Sequence, residues 1–177
     1  MIQRLSCRLS RISEREQALC LRFNRASQVR WVRELFALVS RLGDGVAWYG
    51  LMLFLLLRHG ADAAPAVVHM LAVGIAALAV YKWLKGKTLR PRPFHLNGEL
   101  FISVPPLDQY SFPSGHTLHA VAFTTVLLAY FPVYAWVAVP FAVLVALSRL
   151  VLGLHYPTDV MAGTVLGALV ASLSFAI

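Results

Sequence analysis

From Leu35 onward the chain alternates long apolar runs with short polar interruptions, and the run lengths predict helices that cross a membrane. The first span covers Leu35–Leu57, strongest from Val46, with Arg41 and Asp44 near its start. After the polar turn Arg58-His59-Gly60-Ala61-Asp62, a second span runs from Ala64 to Leu84. Its roughly 20 residues at about 1.5 Å each cover a hydrocarbon core of about 30 Å. The polar segment Lys85 to Phe112, dense in Arg, Pro and Gly, is not expected to form one regular element. Between Thr117 and Leu147 there is no Asp, Glu, Lys or Arg, and Pro132 divides the run. That predicts two antiparallel helices, Gly115–Phe131 and Val133–Leu154, and a final span follows from Thr158 to Ile177, with Pro157 suited to its first turn.

The expected fold class is all-α: a polytopic membrane helical bundle of about five transmembrane helices, over residues 35–177. Residues 1–34 form a separate basic leader, where Arg4, Arg8, Arg11 and Arg15 recur at helical spacing with Leu5, Leu9, Ile12 and Leu19 between them. That pattern predicts an amphipathic helix lying in the membrane interface. The leader lacks a continuous apolar core, so no cleavable signal is expected.

Composition strengthens this picture. The chain is 59% hydrophobic and 14% charged, where soluble domains carry about 25% charged residues. Its net charge of +8 sits beside apolar spans and not on a soluble face, so membrane lipids with anionic headgroups are the expected partners and nucleic acid is not. Cys7 and Cys20 fall in the leader in no metal-like pattern.

Because successive spans alternate direction, the stretch after the second crossing (Lys85–Phe112) and the stretch after the fourth (His155–Asp159) emerge on one face. Three polar patches can meet there. In the first, Lys82, Lys85, Lys87, Arg90 and Arg92 fall within eleven positions. They read either as a basic stop beside a span or as a phosphate clamp, with Arg presenting a planar fork of donors and Lys a point charge. In the second, Pro113-Ser114-Gly115-His116 marks a helix start, with Ser114 a candidate cap and Gly115 allowing close approach to the backbone. Free N–H groups there suit an anion, and His116 could hand a proton to a leaving oxygen. In the third, Arg149, His155 and Asp159 lie within eleven positions at the edge of an apolar span. Charged groups such as this arginine and carboxylate cost about 2.5–3.5 kcal/mol each at mid-membrane, so they are expected to have a use. The spacing suits a histidine nucleophile or base, a carboxylate that orients it and an arginine that holds an anion. His119, one turn past His116, reads as packing. Arg90 and Lys87 read as headgroup contacts or charge decoration, and Tyr110, Trp31, Trp48 and Trp83 as interfacial anchors.

Lys85-(six residues)-Arg92-Pro93, Pro113-Ser114-Gly115-His116 and Ser148-Arg149-(five residues)-His155-(three residues)-Asp159 together resemble the three-part signature of the type-2 phosphatidic acid phosphatases, relatives of the vanadium haloperoxidases. The match covers residues 85–159 without a departure; upstream, members often have six spans, and here the leader takes the place of the first. The resemblance implies that His155 attacks phosphorus and forms a phosphohistidine, that Asp159 hydrogen-bonds the far ring nitrogen, and that His116 protonates the departing oxygen and then activates water. It also implies that Lys85, Arg92, Ser114, Gly115 and Arg149 hold the phosphoryl oxygens. No metal and no cofactor is expected, since the site region offers few carboxylates for Mg²⁺ beyond Asp159.

The implied activity is hydrolysis of a terminal phosphate from a lipid (di)phosphate such as undecaprenyl diphosphate, phosphatidylglycerophosphate or phosphatidate, in the cell (inner) membrane. A lipid phosphotransferase and a non-catalytic headgroup-binding membrane protein are the alternatives. The charge count and the resemblance point to opposite faces for the site. Nine Lys/Arg through Arg41 and five from Lys82 to Arg92, against Arg58 alone, place it in the cytoplasm by the positive-inside rule, whereas the resemblance favours the outer face.

Overall fold

The structure, a computed structural model, describes residues 14–176. Among these residues there is no strand; the chain forms α1 (14–24), α2 (Arg30–Arg41), α3 (Ala47–His59), α4 (Ala64–Thr88), the short α5 (Pro93–Leu96), α6 (Gly115–Tyr130), α7 (Ala135–Val151) and α8 (Pro157–Ser174). The stretches Arg30–Leu96, Pro132–Val151 and Pro157–Ser174 are long and apolar enough to cross a membrane. The first of these turns back on itself at Gly60–Ala63 and so contains two passes, α2–α3 and α4. Helix α6, 16 residues long and not among these stretches, runs beside them as the fifth segment of the bundle.

The predicted first span is one pass but not one helix. Leu42–Val46 forms a π-type turn in which Gly45 adopts φ 135°, a backbone region that L side chains rarely enter. Beside it, a Cβ on Gly43 would stand 3.1 Å from both methyls of Val145. The two glycines thus allow the break and bring α2 close to α7, with Asp44 between them.

Helix α6 is the centre of the bundle and packs on α4, α7 and α8. Gly163 and Gly167 permit its close approach to α8, because a Cβ at either would lie 2.6 Å from the Ser114 carbonyl oxygen or 2.4 Å from that of Leu118. In lipid, where burying apolar surface adds little, such small-residue contacts are a main source of helix association. Trp48, Met52, Met70, Val73, Phe123, Val126, Leu127 and Val145 fill the shared interior. Trp48 is therefore not an interfacial anchor: it is 2% exposed, with its ring 5.5 Å from Phe123 and 5.4 Å from Phe141. The outer surface is also apolar, with Leu57, Ile75, Trp136 and Leu173 each more than 60% exposed. A large exposed apolar face of this kind fits lipid, not water.

Arg4, Arg8, Arg11 and Cys7 lie outside the described residues. In α1 one face is buried: Glu16, Cys20 and Asn24, spaced four apart, point into the protein while Arg15 and Arg22 are exposed, as is Arg25 just beyond the helix. Asn24 Nδ2 donates to the carbonyls of Phe101 and Val151, both at 3.0 Å, and its Oδ1 accepts from Phe101 N at 2.8 Å. Cys20 Sγ lies 3.8 Å from the carbonyl of His155. The described part of the leader is thus a strap across the polar loops as well as a basic surface.

Candidate active site

Three helix ends and one loop converge at one end of the bundle. Lys85 lies in the last turn of α4, which ends at Leu89 in a left-handed conformation (φ 47°) and sends the chain back toward the α7–α8 corner. Arg92 follows and is 1% exposed. Its Nη1 donates to the Leu154 carbonyl at 2.7 Å and lies 3.3 Å from His155 Nε2. The two polar stretches expected on one face therefore meet.

His155 occupies the turn between α7 and α8, its N–H bonded to the Arg149 carbonyl at 3.2 Å. Its Nδ1 stands 3.5 Å from Asp159 Oδ2 and has no hydrogen-bond partner among the described residues. This is a longer contact than the hydrogen bond expected from the resemblance. Asp159 is committed elsewhere as well: Oδ2 accepts from Tyr156 N at 2.8 Å and from the Ser111 hydroxyl, and Oδ1 accepts from Arg90 at 2.7 Å. Burial first, then the cations Arg149, Arg92 and Lys85, hold the His155 imidazole well below its ordinary value of 6.5, which favours the neutral ring. In the tautomer with its proton on Nδ1, toward Asp159, the neutral ring leaves on Nε2 the lone pair that a nucleophile needs.

Arg149 is buried, with Nη1 on the Ser40 hydroxyl, and its Nε has no partner among the described residues. It lines a cavity of about 760 Å³ together with Lys85, Arg92, Gly115, His116 and His155. Ser114 is the exception among the predicted clamp residues and does not line that cavity. Its hydroxyl pairs with Thr117 Oγ1 at 2.9 Å, and its N–H donates to the Asp159 carbonyl at 3.0 Å, tying the start of α6 to the start of α8. His119 bridges helices, with its ring nitrogens 2.9 Å from the Gly115 carbonyl oxygen and 3.2 Å from that of Gly74.

Three polar residues outside the signature complete the site. Asp108, from the irregular 97–111 loop, accepts from Lys85 Nζ at 2.7 Å and from Arg92 Nη2 at 2.8 Å. Burial pulls its carboxyl upward, but Lys85 and Arg92 outweigh burial and hold it below the ordinary carboxylate value. Arg90, expected to be a headgroup contact or decoration, instead buttresses Asp159. It also bonds Thr158 Oγ1 at 2.8 Å and Glu16 at 2.5 Å, and it lies 4.1 Å over the Tyr156 ring. Asp44, from the glycine-flanked break in the first pass, pairs with His116 Nε2. A charged residue between two glycines inside an apolar span was the available signal for Asp44; Asp108 had none beyond its polarity. Among the described residues no three His, Cys, Asp or Glu side chains gather into a metal-holding group.

Residues 65–177 match the family model described as the PAP2 superfamily. The chain belongs to the PAP2 superfamily. Curated relatives within reach include an undecaprenyl-diphosphatase of Sulfolobus acidocaldarius, 29% identical over 84% of this chain and 71% of that protein. A lipid A 1-phosphatase of Rhizobium etli is 30% identical over 77% of this chain and 67% of its own length. Among solved structures, the PAP2-type phosphatidylglycerolphosphate phosphatase of Bacillus subtilis superposes with a TM-score of 0.70 at 26% identity, covering 93% of this chain and 85% of that one. With these relatives and this bundle, the chain is a multi-pass PAP2 membrane phosphatase, a phosphoric-ester hydrolase of the membrane lipid phosphatase family.

Proposed function

We propose that the protein removes a terminal phosphate from a lipid phosphate or diphosphate through a phosphohistidine on His155. The observation that carries this reading is the single cavity on which Lys85, Arg92, Arg149, His116 and His155 converge, and whose far wall is apolar. Leu71, Ile75 and Leu78 of α4 and Phe123 of α6 line that wall. A phosphate among the cations and a hydrocarbon tail along α4 match the two halves of the cavity.

In the first step the Nε2 lone pair of His155 attacks phosphorus. The phosphorus–oxygen bond to the lipid breaks, and the electron pair stays on the leaving oxygen, which takes a proton from His116. In the second step His116 accepts a proton from water as the water oxygen attacks phosphorus. The phosphorus–nitrogen bond breaks, its electron pair returns to His155, and inorganic phosphate leaves. Lys85, Arg92 and Arg149, with the Gly115 N–H, hold the phosphoryl oxygens as charge builds on them; one such donor is commonly worth about 3 kcal/mol. Ser114 contributes by fixing the start of α6 against Asp159. Asp159 stands behind His155 and favours the positive charge that its ring gains on phosphorylation.

The membrane is proposed to be the cell membrane, with the site on its outer face, as the family resemblance implies. Lys85, Arg90 and Arg92 support this choice, since they are paired with Asp108, Asp159 and Glu16 within the site and weigh less as topological charges. With Cys7 and Cys20 replaced by Ser, an impermeant thiol reagent on intact cells should then label Glu99→Cys and spare Asp62→Cys; the reverse pattern puts the site in the cytoplasm. The test of the activity is phosphate release from a lipid phosphate in detergent with EDTA present. Release persists in the wild type and is lost in His155→Ala; unchanged release in that variant refutes the mechanism.

A further inference from the structure

We infer that Asp44 is the positioning residue for His116, fixing which ring nitrogen carries the proton that His116 gives and takes back. The inference rests on the proposed role of His116 as proton donor and acceptor. Asp44 lies upstream of both the three-part signature and the matched residues 65–177.

The geometry has two independent parts. The Asp44 carboxylate meets His116 Nε2 in the cavity, which both residues line. The backbone is also broken at this point: α2 ends at Arg41, Leu42–Val46 winds as a π-type turn, and Gly45 takes φ 135°. Such turns interrupt helical hydrogen bonding and recur at functional sites. Gly43 lies against Val145, where a Cβ would have 3.1 Å of room. The break is thus set against α7 on one side, and it carries the one acidic side chain of the pass's middle toward α6.

A carboxylate on Nε2 keeps a proton there in both charge states of the ring. Nδ1, which has no partner among the described residues, is then the nitrogen that changes protonation. It is N–H when the leaving oxygen needs a proton, and a bare acceptor when water must lose one. The arrangement mirrors His155, whose carboxylate partner sits at Nδ1 and leaves Nε2 for phosphorus. One site therefore holds two histidine–carboxylate pairs that use opposite ring nitrogens.

The prediction separates proton donation from everything else Asp44 does. An aliphatic phosphate needs its leaving oxygen protonated, while p-nitrophenyl phosphate expels a stable phenolate and does not. Because kcat/KM reports steps up to departure of the leaving group, the second step does not enter. Asp44→Asn should lower kcat/KM for an alkyl monophosphate by tenfold or more, within the roughly 10²–10⁴-fold that a positioned acid supplies. For p-nitrophenyl phosphate the fall should be under about threefold, and Asp44→Glu should recover part of the alkyl activity. The ratio of the two substrates in one preparation is independent of how much protein is folded. Equal losses on both substrates, or no loss on either, overturn the assignment of Asp44. Activity surviving in His155→Ala on either substrate would instead overturn the phosphohistidine reading on which it rests.

Discussion

Asp159 Oδ2 stands 3.5 Å from His155 Nδ1, while Arg90 holds the other oxygen of the same carboxylate at 2.7 Å. The carboxylate behind the proposed nucleophile is thus supported from a residue that lies in the first polar patch yet outside the signature. Asp159 is fully buried, and removing one partner of a buried ion pair typically costs about 3–5 kcal/mol because the other charge is left uncompensated.

Arg90→Ala is therefore expected to lower the unfolding midpoint in detergent and to reduce kcat about tenfold or more, at about 1.4 kcal/mol of barrier per factor of ten. Arg90→Lys should recover stability better than activity, since one ammonium cannot bond Asp159, Thr158 and Glu16 with the same planar fork. Wild-type behaviour of Arg90→Ala would show that the arm is decoration after all.

Asp108 bridges the two clamp cations that the lipid phosphate is proposed to engage. A phosphate must displace this carboxylate, and the pairing opposes binding while keeping Lys85 and Arg92 in place. Asp108→Asn should tighten competitive inhibition by inorganic phosphate, with an inhibition constant about tenfold lower for a difference of about 1.4 kcal/mol. Weaker inhibition in the variant would mean that Asp108 organises the clamp and does not compete for it.

The neutral state of His155 gives a pH signature. Burial and the surrounding cations hold its folded value well below 6.5, so the nucleophile stays unprotonated as pH falls from 7 toward 6. The acid limb of kcat/KM should lie below 6.5; a limb at or above it contradicts the neutral-ring reading. Stability follows the same shift. The unfolded chain takes up a proton near pH 6.5 that the folded site refuses, so stability falls as pH drops below 6.5. His155→Gln should flatten that part of the curve.

Gly167 tests the frame beneath the site. A Cβ there would lie 2.4 Å from the Leu118 carbonyl oxygen, a backbone atom that cannot swing aside. Gly167→Ala should destabilise the protein by about 1–3 kcal/mol. It should also reduce activity, because α6 and α8 carry His116 and Asp159. Full activity and an unchanged midpoint would mean that the helices separate freely.

The legible part of this protein was what lipid makes costly. Arg149, His155 and Asp159 stand out at the edge of an apolar span and Lys85 and Arg92 in the polar segment that follows another, and the alternating direction of the spans carried all five to one face. The span boundaries were legible for the same reason, Pro132 and Pro157 falling where helices change. What could not be read were contacts fixed by tertiary packing. Asp44 looked like a charge near the start of a span, because its reach to His116 depends on the turn at Gly45. Arg90 and Asp108 lie in segments without periodicity, where partners come from other helices. Trp48 looked like an anchor because aromatic side chains at a span's end and in its core have the same sequence signal. The buried stripe of Glu16, Cys20 and Asn24 was hidden by the arginines around it.

The central claim is that phosphorus passes through His155 Nε2. Rapid quenching of the detergent-solubilised protein mixed with ³²P-labelled substrate measures it directly. The account predicts a protein-bound label that survives base, is lost in acid and is absent from His155→Ala; a label retained in that variant, or turnover with no labelled protein at any quench time, would contradict it.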